Sequence, residues 1–372
     1  MSIVDELKQF GAGHARAQDI PTDRLAELYA RISTDGDGAG SWVREWSRAA
    51  DELSAAGQHL AAAQHYNMAR LPYVDGPARQ EAQDSCVAAF GRWAQDGGVI
   101  TPLEVEVDGA RVRCWTAGLS AEHPRPVLLA LGGIVSVKEQ WAPLLSQAAR
   151  LGLAGVVTEM PGVGENTLPY GRDSAKMLSA VLDAIVGRAD VARTYAMALS
   201  FSGHLALRCA LTDPRIRGIA TIGAPLHAFF TDRAWQDKLP SITVDTLAHL
   251  IGVDPADVGE HVRDWALRPE ELAALDIPVG YVASDRDEII PAADIELART
   301  HLKHLRLLRF DDVHGSPNHA DETRMWIVGS ILRMSGAPVM QRAAVGVAGG
   351  LIRIRRMLTP STRLGERTGA GV

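Results

Sequence analysis

Thr194-Tyr195-Ala196-Met197-Ala198-Leu199-Ser200-Phe201-Ser202-Gly203-His204 decides the reading of this 372-residue chain. Up to Leu199 the stretch is an apolar strand. Directly after Ser200, Leu205, Ala206, Cys209 and Ala210 recur at helical spacing. A strand that bends at a serine straight into a helix is the local context of a nucleophile elbow. The bend wants small residues two places before and two places after the serine. Here they are Ala198 and Ser202, where the strict pattern G-x-S-x-G has glycines. The strict pattern occurs nowhere in the chain, and relaxing both flanks to Gly, Ala or Ser leaves Ser200 as the one match.

Outward from the elbow, short apolar runs alternate with longer helical stretches. The runs are Val127–Leu131, Ala154–Val157, Thr194–Leu199, Gly218–Ile222, Val279–Ala283 and Leu305–Phe310. Helices are expected near 138–151, 173–188, 202–212, 291–302 and 318–334. Buried runs followed by helices imply an α/β fold with a mostly parallel central sheet and helices on both faces. Ahead of them, Leu103, Val105 and Val107 alternate up to a turn at Asp108-Gly109. Val112 and Cys114 continue the alternation, so a hairpin adds antiparallel strands at the edge.

Three further stretches extend this core. Residues 1–97 read as a helical cap region, with a start at Pro21-Thr22-Asp23, a second helix capped by Ser41, a third from about Gln58 to Ala69, and a fourth carrying Cys86, Phe90 and Trp93. The core itself spans 98–335, interrupted at about 225–275 by a helical lid insertion without a strand pattern. Residues 336–372 are Gly/Ala/Arg-rich and read as flexible or as an oligomer contact. Val339–Leu358 could form an amphipathic helix, which Gly346, Gly349 and Gly350 weaken.

A serine hydroxyl needs a base, and the base a carboxylate to orient it. The strand ending at Ala283 runs into Ser284-Asp285-Arg286-Asp287-Glu288-Ile289-Ile290-Pro291. This strand end supplies Asp285, Asp287 or Glu288 as the acid; Asp287 is preferred, because Pro291 opens the next helix and fixes the loop, with Asp285 as the runner-up. The strand ending at Phe310 runs into Asp311-Asp312-Val313-His314-Gly315-Ser316-Pro317-Asn318-His319. His314 lies nearer the strand end and is preferred as the base over His319. An oxyanion hole needs two backbone donors. One is the Phe201 N–H; the other is expected from Gly132-Gly133-Ile134, through Gly133 or Ile134.

Composition narrows the function classes. Hydrophobic residues make up 47% and charged residues 22%, which excludes a mainly disordered chain. The net charge is −7, and the last 37 residues carry +5 of it, so a duplex nucleic-acid binder is disfavoured. Three scattered cysteines give neither a disulfide framework nor a metal pair. No signal peptide and no membrane span are read, so the protein is expected in the cytoplasm. No cofactor and no metal are expected.

With these residues assembled, the chain resembles the α/β-hydrolase superfamily, and within it the FrsA-like branch that includes 2,6-dihydroxypseudooxynicotine hydrolase. Gly132-Gly133-Ile134-Val135-Ser136-Val137-Lys138-Glu139 resembles the branch's GG-x-x-S-x-KE loop. Glu159-Met160-Pro161-Gly162-Val163-Gly164-Glu165 resembles its D-x-PG-x-GES stretch, with Glu in place of the Asp. The helical region with Trp42, Glu45, Trp46, Ala63, Tyr66, Ala69 and Arg70 resembles its cap. The resemblance covers about residues 20–335. It implies a Ser-His-Asp enzyme that cleaves an ester or a C–C bond. A composition typical of a high-GC bacterium makes a largish polyketide a plausible substrate. An alternative on the same scaffold is a lyase that eliminates acetate from an acetylated tetronate-type intermediate; another is a non-catalytic interaction protein.

Substrate contacts are expected from Tyr66 and Arg70 on one side and from Phe229 and Trp235 on the other. A seam between lid and core is the competing reading for the aromatic residues. Five of the eight Trp (42, 46, 93, 235, 265) fall in the two helical additions, which favours a large apolar substrate. A small-molecule substrate and a homodimer are the partners expected.

Overall fold

A computed structural model describes residues 2–358, with side chains described to residue 352. Eight strands form one sheet: β1 (Thr101–Val107), β2 (Ala110–Ala117), β3 (Pro126–Leu131), β4 (Ala154–Thr158), β5 (Asp190–Ala198), β6 (Ile216–Ile222), β7 (Val279–Ser284) and β8 (Leu305–Phe310). Their order is β1-β2-β4-β3-β5-β6-β7-β8. The β1–β2 hairpin turns at Asp108-Gly109, both with positive φ. It joins β4 antiparallel, and every later pairing is parallel. The middle strands are buried on both faces, which is why they read as continuous apolar runs rather than alternating ones.

The expected crossover helices form, with one difference. The stretch 138–151 is four short pieces, Lys138–Trp141, Ala142–Leu144, Leu145–Ala148 and Ala149–Leu151, instead of one helix. Pro143 removes a backbone donor there and favours the tighter turn.

Five helices precede the sheet: α1 (Ile3–Ala17), α2 (Thr22–Arg31), α3 (Trp42–Ala55), α4 (His59–Ala69) and α5 (Pro77–Gly97). Trp42 and Trp46 are fully buried between them, and the Trp42 indole donates to the Met68 carbonyl at 2.6 Å. Helix α1 begins with a capping box in which Ser2 and Asp5 bond reciprocally.

The insertion after β6 is a series of short helices joined by loops, from Ala228 to Ala274. Its root is held by Asp294, a buried carboxylate that accepts from the N–H groups of Leu226, His227, Ala228 and Phe229. The two helical additions meet. Glu6 of α1 accepts from the Ser241 hydroxyl at 2.6 Å and from the Ile242 N–H at 2.9 Å. Tyr73 stacks on His249 with centroids 4.4 Å apart.

In the Arg-rich tail, Val339–Leu358 is a continuous helix. It lies on the helix Ala320–Met334, where Gly329 and Gly349 allow close approach to Val345 and Met325. The amphipathic helix that Gly346, Gly349 and Gly350 weaken in sequence is thus formed, with Gly349 at the crossing. Residues 359–372, with Arg363 and Arg367, lie outside the described residues.

Candidate functional site

Ser200 sits between the end of β5 and the helix Phe201–Ala210, with φ 58° and ψ −127°. A non-glycine residue rarely adopts this conformation, and it persists only where its surroundings impose it. They do so here through hydrogen bonds. Ser200 N–H donates to the Ile222 carbonyl at 2.8 Å, and Gly203 N–H donates to the Ser200 carbonyl at 2.8 Å.

The departures from the glycine flanks have local explanations. Ser202 is buried, and its hydroxyl donates to the Leu199 carbonyl at 2.9 Å, so the extra atoms are absorbed. The position that tolerates no side chain is Gly203. A Cβ there would lie 2.2 Å from Thr221 Oγ1 and 2.7 Å from the Ala224 methyl.

The structure brings Ser200, His314 and Asp287 together. Ser200 Oγ lies 3.0 Å from His314 Nε2. On the other side of the ring, Nδ1 lies 2.9 and 3.0 Å from the two Asp287 carboxylate oxygens. Asp287 is held in turn by the N–H groups of Ile289 and Ile290, at 3.0 and 2.8 Å. Burial pulls the His314 pKa down, but the charge and hydrogen bond of Asp287, aided by Glu288, outweigh it and raise the pKa above the ordinary imidazole value.

The alternatives are occupied elsewhere. Asp285 pairs with Arg309 at the surface. His319 donates to Asp312 at 2.7 Å and stacks on Phe310. Asp312 is fully buried and also accepts from Val313 and Asn318, so it knots the loop that carries His314.

The glycine loop after β3 abuts Ser200. A Cβ on Gly133 would stand 3.2 Å from Ser200 Cβ and 3.6 Å from Oγ; one on Gly132 would collide with Ser136 and Trp141 at 2.3 Å. Phe201 opens its helix, so its N–H has no acceptor inside the helix and points with the positive end of the helix dipole. Ile134 is buried beside these residues.

The two stretches that carried the resemblance are wired to each other. Lys138 is buried, and its ammonium lies 3.0, 3.2 and 2.7 Å from carboxylate oxygens of Glu139, Glu159 and Glu165. Glu159 also accepts from the Lys138 and Glu165 N–H groups. Gly164 has φ 60°, and a Cβ there would lie 2.4 Å from the Glu159 carboxylate. Burial pushes the Glu159 carboxyl up to about 7 against the pull of Lys138.

Of the four residues expected to touch substrate, Arg70 lies beside the glycine loop, where its Nη2 donates to the Val135 carbonyl. Tyr66 does not come to the site; its hydroxyl donates to Asp51 at 2.5 Å inside the helical region. Phe229 is buried against Phe201 and Phe230 and belongs to the seam between insertion and core. Trp235 latches the acid loop, donating from its indole to the Ile289 carbonyl at 2.8 Å. Trp265 belongs to the seam too, since its carbonyl bonds His204 and Arg208.

Three contacts at the site were not read from sequence. Gly223 has φ 55°, and a Cβ on it would lie 2.6 Å from His314 Cε1 and 3.0 Å from Nδ1. Its signal was a glycine directly after a buried strand. Glu288 accepts from the His314 N–H at 2.9 Å. Helix α1 docks on the loop after His314: Arg16 donates to the Pro317 carbonyl and to Asn318 Oδ1, each at 3.1 Å.

A mostly parallel sheet with a strained serine at a strand-to-helix bend, and an acid and a histidine following from the ends of β7 and β8 in that chain order, defines an α/β-hydrolase. Within that class the chain belongs to the FrsA-like family, described as Esterase FrsA-like, which matches residues 35–274. It is 29% identical to Esterase FrsA of Citrobacter koseri over 263 residues, 66% of this chain and 62% of that protein. With Esterase FrsA of Escherichia coli K12 the identity is 28% over 250 residues, 62% of this chain and 59% of that protein. The chain thus spans about three fifths of the length of these curated relatives. Among solved structures, AbyA5 is 54% identical with a TM-score of 0.91, covering 94% of this chain and 100% of that one. The 2,6-dihydroxy-pseudo-oxynicotine hydrolase shares the fold at 19% identity and a TM-score of 0.68, covering 86% and 96%. Among the described residues no helix is long and apolar enough to cross a membrane.

Proposed function

We propose that the chain is a Ser-His-Asp enzyme that cleaves an ester or C–C bond of a largish, polyketide-like small molecule, in the cytoplasm, without a cofactor and as a homodimer. The contact between Ser200 Oγ and His314 Nε2 at 3.0 Å, with Asp287 behind the ring, carries the reading. Ser200 attacks the carbonyl while His314 takes its proton. Asp287 holds the ring tautomer and stabilises the imidazolium. The N–H groups of Phe201 and of Gly133 or Ile134 receive the developing oxyanion. The meeting of two helical additions over the sheet supports a substrate larger than a generic ester.

Ser200→Ala is expected to abolish turnover, and a fluorophosphonate probe to label the wild-type protein at Ser200. An unlabelled wild type together with a fully active Ser200→Ala variant overturns the proposal.

A second reading uses the same base. The raised pKa of His314 suits removal of a carbon-bound proton, which fits acetate elimination from an acetylated tetronate-type intermediate. Products separate the two. Hydrolysis in heavy-oxygen water labels the acid released, whereas elimination gives an alkene and unlabelled acetate.

A further inference from the structure

Arg70 is a cation buried to 2% exposure with no carboxylate at ion-pair distance among the described residues. Its Nε donates to Asn67 Oδ1 at 3.0 Å and its Nη2 to the Val135 carbonyl, both neutral acceptors. Its Nη1 donates to no described residue. The carboxylates that act on it through space, Glu159 and Glu139, are both engaged by Lys138. A buried charge left without a partner is costly, so the position calls for a ligand of opposite sign.

Its neighbours tie that position to Ser200. Val135 is two residues from Gly133, which abuts Ser200. Asn67, which holds Arg70, donates at 2.8 Å to Gln18, just beyond the end of α1. One turn earlier on the same face stands His14, whose carbonyl accepts from Gln18. The adjacent face of α1 docks on the His314 loop through Gly13 and Arg16. His14 is close enough to feel the charges of both Arg70 and His314; burial first, then these two, hold its pKa at about 4, so it is neutral near pH 7. Its ring bonds no described residue. Ser200, Gly133, Val135, Arg70, His14 and His314 are thus linked in one neighbourhood by contacts and by charge felt through space.

We propose that Arg70 and His14 form an anion-recognising subsite of this centre, taking a planar oxyanion of the substrate, either a carboxylate or the enolate of a 1,3-dicarbonyl. The assignment rests on Ser200 being the reacting centre. A guanidinium nitrogen with free N–H groups suits such an oxygen, and the neutral imidazole adds a donor without a competing charge.

The test is calorimetric titration of the full-length Ser200→Ala protein with benzoate and with 2-acetylcyclohexane-1,3-dione, which is an enolate at pH 7.5. Methyl benzoate and the methyl enol ether are the neutral partners. At least one anion is expected to bind about tenfold or more tighter than its neutral partner, and the better anion names the source of the charge. Arg70→Met should abolish the preference, Arg70→Lys retain part of it, and His14→Gln weaken it several-fold. Thermal melts check folding; if Arg70→Met is unfolded, Arg70→Lys and His14→Gln decide. Equal binding of anion and neutral partner, no binding of any probe, or a preference that survives these substitutions overturns the inference. Fluorophosphonate labelling of Ser200 in the wild type reports separately on the underlying reading, so the two failures are distinguishable.

Discussion

Replacing Gly223 by alanine perturbs the triad without touching any of its members. The new methyl would lie 2.6 Å from His314 Cε1, where ordinary contact begins at 3.4 Å. Either the ring or the backbone has to retreat by about 0.8 Å, and a retreat of the ring stretches the 3.0 Å contact to Ser200 Oγ beyond hydrogen-bond range. Asp287 Oδ2, 3.5 Å from the same point, blocks a sideways escape. A displacement of about 1 Å in a reacting group costs on the order of 10²-fold in rate. The positive φ adds only about 1 kcal/mol of backbone strain for alanine, so the protein should stay folded. The assay is kcat/KM on p-nitrophenyl acetate, beside a thermal melt and the rate of fluorophosphonate labelling. A drop of about 10² in both rates with a small change in Tm is expected. A folded Gly223→Ala variant within about threefold of wild type would refute the reasoning.

Other outcomes follow from the same contacts. The acid limb of kcat/KM should lie above the ordinary histidine value, and Asp287→Asn should move it down while lowering kcat by about 10⁴. Glu159 keeps its proton to about pH 7 in the folded state but loses it near 4.5 when unfolded. Its stabilising contribution is therefore lost as pH rises through that window, and Glu159→Gln should flatten the corresponding fall in Tm between pH 5 and 7.5. Trp235→Phe removes the bond to the Ile289 carbonyl. About 1 kcal/mol of stability should go with it, and kcat should fall several-fold as the acid loop loosens, read by denaturant melts and ester turnover.

The sheet was legible because each buried strand is a short apolar run between turn residues, from Val127–Leu131 to Val279–Ala283, and the half-exposed edge strand Leu305–Phe310 keeps enough apolar residues to be read beside them. Ser200, Asp287 and His314 were legible for a related reason, since each falls where a strand stops and chain order limits the choice. What stayed hidden depends on contacts between distant segments. Nothing near Tyr66 shows that Asp51 takes its hydroxyl, nor does anything near Phe229 show that Phe201 and Phe230 enclose it. Trp235 reads as an apolar lid residue, yet its role comes from one indole N–H and a carbonyl 54 positions away. Residues 3–17 carry no proline start or strong apolar stripe to announce a helix at the site, because much of the face that docks is small or polar: Gly11, Gly13, His14 and Arg16.

Helix α1 also has a consequence for assembly. Arg16 meets Pro317 across 301 positions of chain. During synthesis Arg16 leaves the ribosome 301 positions ahead of Pro317, so the seat of α1 exists only once β8 and the loop behind it have followed. Closing so long a loop is slow, and the waiting helix stays open to proteases and chaperones meanwhile. The histidine loop therefore gains its brace late. A contact made by a single arginine of helix α1 thus ties the order of folding to the order of synthesis.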